Sequence, residues 1–274
     1  MALSPPAHLA TGAFPPDLPT AWTSLRGPAR SNWIIPGHLL QSATPNTLQD
    51  AVAIMKEAQV SAVVSLHPGL DAPSLLAATA AAAASTPSAR AAQPYGARHA
   101  LSTPDYMPTL SAAAGTVSMP VPRRVHVPIL EAGGAVLPDD RVAALALDIM
   151  AALKAGDVVM LLCDSGNGRS GTLAALLLGL TYGLTSQESL DAVELSRSQR
   201  AGVAGHVPET PQQRGQVHRL LGDARLRTAA AEVPPRALTP QDQDDDLQAV
   251  LDKLREGLSR LAPTALLHLR RHLR

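Results

Sequence analysis

Thiols, aromatic rings and net charge are all scarce in this sequence. A single cysteine, Cys163, stands among 274 residues. One thiol closes no disulfide within the chain, builds no cysteine metal cluster, and has no second thiol to shield it by disulfide formation. That economy fits a reducing compartment, and a cytoplasmic location is expected. Aromatic residues make up 2% of the chain, so alanine and leucine must fill the core. Lys plus Arg and Asp plus Glu number 23 each, giving a formal charge of zero. This balance argues against a general nucleic-acid or anionic-membrane binder. No apolar run reaches the ~20 residues of a membrane span.

Against this background one stretch carries chemistry: Leu161-Leu162-Cys163-Asp164-Ser165-Gly166-Asn167-Gly168-Arg169-Ser170-Gly171-Thr172. The apolar run 158–162 reads as a buried strand, and 173–180 reads as a helix packed on most sides. A tight polar loop joins them. Backbone N–H groups of such a loop, ahead of a helix N-terminus, bind a tetrahedral oxyanion. Gly166 and Gly168 let the backbone curl close to it. Arg169 offers a planar fork for two phosphate oxygens. Cys163 lies at the floor of the cup, where the helix dipole, the N–H groups and Arg169 favour its thiolate, and Ser170 can donate a hydrogen bond to the sulfur. Asp164, Ser165, Gly166, Asn167, Gly168 and Arg169 therefore form the expected substrate-binding loop, with Cys163 placed for in-line attack.

These residues match the Cys-x5-Arg-Ser/Thr signature, and the sequence resembles the cysteine-dependent protein tyrosine and dual-specificity phosphatases. Asn32-Trp33-Ile34-Ile35-Pro36-Gly37-His38-Leu39 is similar to the segment that opens such domains, and Pro208-Glu209-Thr210-Pro211-Gln212-Gln213 to a stretch that follows the signature. The resemblance spans residues 32–221 apart from an insertion. It implies a general acid on a mobile loop after a strand, some thirty residues before the cysteine. The strand ending at Leu130 delivers Glu131 there, with Gly133-Gly134 beside it; Asp139 and Asp140 compete from a helix start. The resemblance also gives Gln213, with Glu209 near it, a part in arranging the site; helix capping is the other reading of both. Three positions depart from the family pattern. Leu162 replaces a histidine, Asp164 sets a negative charge beside the nucleophile, and Glu131 replaces an aspartate.

The rest of the chain reads as an α/β fold, a central mostly parallel sheet flanked by helices, phosphatase-like, with a long low-complexity insertion. Residues 1–30 are expected to be a disordered leader, with plastid targeting as an alternative. The domain spans 31–227. It opens with a hairpin around Pro36-Gly37, followed by an amphipathic helix over 45–58 with Leu48, Val52, Ile54 and Met55 inward, and a strand over 60–66. Residues 67–123 read as a flexible surface insertion with a short helix over 75–84. A strand over 125–130, a helix over 142–154, a helix capped by Thr185 and Glu188, and a helix from Pro211 to about Leu226 follow. Residues 228–246 read as a polar linker and 247–274 as an amphipathic helical tail, a candidate for binding a protein partner.

The expected function is hydrolysis of phosphotyrosine, and of phosphoserine or phosphothreonine, in proteins through a phosphocysteine intermediate, with no cofactor and no metal. The alternatives are a catalytically weak or dead relative that binds a phosphorylated partner, and an inositol-phosphate phosphatase. The last loses ground because Asp164 and Asn167 stand where lysines are usual. Arg123 and Arg124 are candidates for docking an acidic substrate.

Overall fold

The computed structural model of the chain describes residues 17–18, 21, 25–28, 30–45, 47–67, 107–127, 129, 137–198, 200 and 205–238. Glu131, Gly133, Gly134, the helix expected over 75–84 and the C-terminal amphipathic segment lie outside them.

Among the described residues five strands form one sheet: β1 (Ser31–Ile35), β2 (Leu39–Ala43), β3 (Ala62–Ser65), β4 (Arg123–His126) and β5 (Val159–Cys163), in the order β1-β2-β5-β3-β4. β1 and β2 are the hairpin around Pro36-Gly37 and pair antiparallel; every other pairing is parallel. The sheet is thus the mostly parallel one that the sequence implies. β5 lies in the middle, between β2 and β3, and Val159, Met160, Leu161 and Leu162 are fully buried. A strand covered on both faces needs a continuous apolar run rather than an alternating one. Leu162 satisfies that need, which accounts for an apolar residue just before the cysteine.

The described helices are α1 (Leu48–Ala53, running on into a π-helical turn over Ile54–Ala58), α2 (Met107–Thr116), α3 (Asp139–Lys154), α4 (Gly168–Tyr182), α5 (Ser186–Ser198), α6 (Pro211–Gly222) and α7 (Ala224–Glu232). α4 follows β5 directly, touches β1, β2 and β5, and is packed by α3, α5, α6 and α7. Its residues Gly168 to Gly179 are all buried, as expected of a helix apolar on every side. The cap of α5 forms as its sequence predicts: Thr185 N donates to Glu188 Oε2 at 2.8 Å and Glu188 N to Thr185 Oγ1 at 3.3 Å.

Several expectations are corrected. In α1 Ala51, Ile54 and Met55 are buried but Leu48 is 49% exposed, because the inward face begins one turn later. Part of the stretch read as a surface loop is helix α2, which buries Leu110, Ala113 and Ala114 and packs on α1. Alanine-rich composition concealed it, since a face of alanines has little amphipathic contrast. The helix from Pro211 stops at Gly222, and Asp223 caps a separate α7 by accepting from Arg225 N at 2.8 Å. The residues from Thr228 to Glu232 are therefore helix rather than linker, with Ala230 buried, and Leu238 N beyond them donates to Asp157.

The contrast between faces is testable. Leu177→Ala, at a fully buried position of α4, is expected to lower unfolding free energy by about 2–5 kcal/mol in urea denaturation, and Leu48→Ala by about 0.5 kcal/mol or less.

Candidate active site

The parallel strands deliver the loop after β5 to one edge of the sheet, the edge where sites form in open α/β folds. Cys163 ends β5, and α4 begins five residues later at Gly168. The carbonyls from Cys163 to Gly166 are held from outside the loop, and those of Asn167 and Gly168 by α4 itself. Cys163 O accepts from Thr44 Oγ1 at 3.5 Å and Asp164 O from Thr44 N at 3.4 Å. Ser165 O and Gly166 O accept from Arg200 at 3.1 and 2.9 Å. Asn167 O accepts from Gly171 N and Gly168 O from Thr172 Oγ1, both at 3.0 Å. A loop with its carbonyls drawn outward turns its N–H groups toward the inside of the curl, the geometry that binds an oxyanion. Gly166 is required here: φ is +69°, and a Cβ would lie 2.5 Å from Ala43 N and 2.7 Å from an Arg200 nitrogen.

The loop brings together the residues singled out from sequence. Cys163 is buried, and its Sγ lies 3.1 Å from Ser170 Oγ. Ser170 is in turn 3.3 Å from Gln41 Nε2 on β2. Arg200 sits behind the loop, buried, and also donates to Asn32 Oδ1 at 2.7 Å. Burial lowers the Arg200 pKa to about 10; the nearby Cys163 opposes this, and Arg197 and Arg30 add to it. The guanidinium stays charged at neutral pH.

Arg169 is buried in the first turn of α4. One terminal nitrogen donates to Leu66 O and Ile129 O at 2.9 and 3.1 Å, tying it to the chain beyond β3 and β4; the other meets Asp164 Oδ2 at 2.6 Å. The second carboxylate oxygen of Asp164 lies 3.0 Å from His67 Nδ1, and His67 Nε2 lies 2.6 Å from Thr44 Oγ1. Burial pushes the Asp164 carboxyl up, but the His67 imidazole and the Arg169 guanidinium beside it outweigh burial and hold Asp164 far below the usual carboxylate range. The acid beside the nucleophile therefore points neither to solvent nor to the sulfur: it is clamped between Arg169 and His67.

Other expected residues fall as follows. Gln213 completes a capping box with Thr210, by reciprocal bonds of 3.1 and 3.2 Å, and its amide also lies over the loop, 2.9 Å from where a Gly168 Cβ would be. The capping reading is realised. Glu209 reaches the loop too, accepting from Ser165 Oγ at 3.1 Å. Asn167 precedes α4 with its Oδ1 buried and without a hydrogen-bond partner, and its N–H donates to Ser165 Oγ at 3.3 Å. Asp139 is bound by Arg219 at 2.8 and 2.9 Å and by Gln216 at 2.9 Å; the Arg219 bond leads in keeping its pKa low. Arg123 pairs with Asp157, and its register with Ala62 and Val159 puts it at the start of the parallel strands. That is about 13 Å of strand from Cys163, at the opposite edge of the sheet, so Arg123 and Arg124 do not line the loop.

Sequence reasoning missed Arg200, Asn32, Gln41 and His67. A signal existed for two of them. Asn32 and Gln41 are polar residues inside apolar strands, at positions that a hairpin around Pro36-Gly37 sets opposite each other.

The clamp on Asp164 has a pH signature. A carboxyl whose folded pKa is depressed adds stability above its unfolded value of about 3.9, and loses it as pH falls through the folded value. Asp164→Asn is expected to melt below the wild type at pH 6, with the gap closing as pH drops below about 4 in thermal-denaturation scans.

No protein-family model and no curated protein sequence matches the chain. Solved structures with a similar fold are those of phosphatases of the protein-tyrosine and dual-specificity type. Tk-PTP in its active form is 18% identical over 70% of this chain and 96% of its own, with a TM-score of 0.45. PTPMT1 in complex with PI(5)P is 14% identical over 74% of this chain and 99% of its own, with a TM-score of 0.47. TpbA of P. aeruginosa is 19% identical over 75% of this chain and 98% of its own, with a TM-score of 0.43.

Proposed function

We propose that the chain is a cysteine-dependent phosphatase that hydrolyses phosphotyrosine, and with it phosphoserine or phosphothreonine, in proteins. One observation carries the reading: Cys163 Sγ, with the Ser170 hydroxyl 3.1 Å away, lies at the base of a loop whose Ser165 and Gly166 carbonyls are held from behind by Arg200, closed by Arg169 in the first turn of a buried helix. An ordinary strand–turn–helix has no need of that combination.

The reaction runs in two displacements. The phosphate of the substrate enters the curl, where loop N–H groups and Arg169 take its equatorial oxygens. The Cys163 thiolate attacks phosphorus as the ester P–O bond breaks, and Glu131 gives its proton to the leaving oxygen. Water then attacks the phosphocysteine, Glu131 takes its proton, and the thiolate leaves with inorganic phosphate released. Asp139 is a poor alternative to Glu131, because a carboxylate held ionised by Arg219 has no proton to give. Glu209, within 3.1 Å of the Ser165 hydroxyl, is placed to hold the incoming water beside the cup.

The charge of the cup bears on substrate. Asp164 neutralises part of Arg169, which disfavours polyanions such as inositol polyphosphates relative to a single phosphoester.

Hydrolysis of a small aryl phosphate without added metal tests the proposal. Cys163→Ser is expected to abolish turnover, and Glu131→Gln to lower kcat by about 10²–10⁴-fold, with Asp139→Asn near wild type. Turnover that survives Cys163→Ser, or that falls with Asp139→Asn instead of Glu131→Gln, contradicts the assignment. A wild type that binds vanadate but turns nothing over moves the chain to capture of a phosphorylated partner.

A further inference from the structure

Behind the nucleophile runs a line of buried polar groups that reaches across the hairpin. Ser170 Oγ lies 3.1 Å from Cys163 Sγ and 3.3 Å from Gln41 Nε2. Gln41 stands opposite Asn32 in the β1–β2 register, and Asn32 Nδ2 lies 3.4 Å from Gln41 Oε1 and 2.8 Å from Ser196 Oγ. Asn32 Oδ1 accepts from Arg200 at 2.7 Å. Asn32, Gln41, Ser170 and Ser196 are at most 1% exposed, and Arg200 is 7% exposed.

Only one direction of hydrogen bonding fits. Arginine donates and never accepts, so the oxygen of the Asn32 amide must face Arg200. Its NH2 then faces Gln41 and Ser196. Ser196 can accept, since its own proton goes to Trp33 O at 2.6 Å. Gln41 therefore turns its oxygen to Asn32 and its NH2 to Ser170. The oxygen of Ser170 is thus occupied as an acceptor, and its single proton is left for the sulfur. A helical serine otherwise tends to return its proton to the carbonyl four residues back. Here that carbonyl is Gly166 O, which accepts from Arg200, while the Ser170 hydroxyl lies at hydrogen-bond distance from the sulfur.

We infer that Asn32 and Gln41 are positioning residues of the active site: with their polarity set by Arg200, they aim the Ser170 proton at the Cys163 sulfur. The inference rests on the reading of Cys163 as the nucleophile. The Ser170 donor favours the thiolate both when it attacks and when it departs from phosphorus. Arg200 thereby acts twice, on the loop carbonyls and on the proton at the sulfur.

Asn32→Asp reverses the line with a change of one atom. The carboxylate keeps its bond to Arg200 but has no NH2. Gln41 must then turn its own NH2 toward that carboxylate and its oxygen toward Ser170, drawing the Ser170 proton off the sulfur. Because the chain holds one cysteine, the rate of alkylation by iodoacetamide at neutral pH reads Cys163 alone. Asn32→Asp is expected to slow alkylation about tenfold, Ser170→Ala to slow it to a similar extent, and the double variant to be no slower than Ser170→Ala. Gln41→Met, which removes both ends of the amide, is expected to slow it about threefold and again to add nothing to Ser170→Ala. Thermal melts identify folded variants, and Gln41→Met decides the matter should Asn32→Asp not fold.

Unchanged alkylation in a folded Asn32→Asp protein overturns the inference. So does equal slowing in the Ser170→Ala background, because a bare electric field would survive loss of the hydroxyl and a relay would not. A wild-type Cys163 inert to alkylation until unfolding removes the nucleophile and the relay together. Alkylation that follows the expected pattern, without hydrolysis of any phosphate ester, upholds the relay and removes the proposed phosphatase activity alone.

Discussion

The hydrogen bonds from Arg200 to the carbonyls of Ser165 and Gly166 are the contacts on which the loop depends. Buried carbonyls need donors, and a tight loop between a central strand and a buried helix has none of its own to spare. By supplying two from behind, Arg200 keeps the carbonyls outside the curl and so the N–H groups inside it. The absence of a side chain at Gly166 is the other half of the same constraint, since a Cβ would strike both Arg200 and the end of β2. Shape and charge of the cup thus follow from a cation that never touches its contents.

A second balance is set within the cup itself. Asp164 lies between Arg169 and His67, at 2.6 and 3.0 Å, and a phosphate that takes Arg169 must compete with that carboxylate. In the proposed reaction, His67 on the far oxygen would leave Asp164 a partner while Arg169 engages substrate. The arrangement trades affinity for discrimination: an anion already in place raises the threshold for a weak one to enter.

Much of this was legible in the sequence, and the boundary is physical. The strand, loop and helix around Cys163 are local, and local pattern predicts them. The same holds for the hairpin around Pro36-Gly37 and for the Thr185–Glu188 cap. Gln213 was open between capping and the site because its sequence context fits both; its side chain makes the cap and lies beside Gly168. Arg200, Asn32 and His67 reach the loop from distant parts of the chain, and only the tertiary fold brings them together. Helix α2 escaped because an alanine-rich helix buries its face with little contrast in hydrophobicity. Arg123 and Arg124 misled through charge alone, and sheet register sends them to the wrong edge.

The proposed reaction requires phosphorus to pass through Cys163. Rapid acid quench during turnover of an aryl phosphate, followed by mass spectrometry of the intact chain and its peptides, addresses it most directly. The account predicts a single phosphoryl group on the peptide that holds Cys163, appearing before the steady state. Turnover with no phosphorylated enzyme, or a phosphoryl group on any other residue, would contradict it.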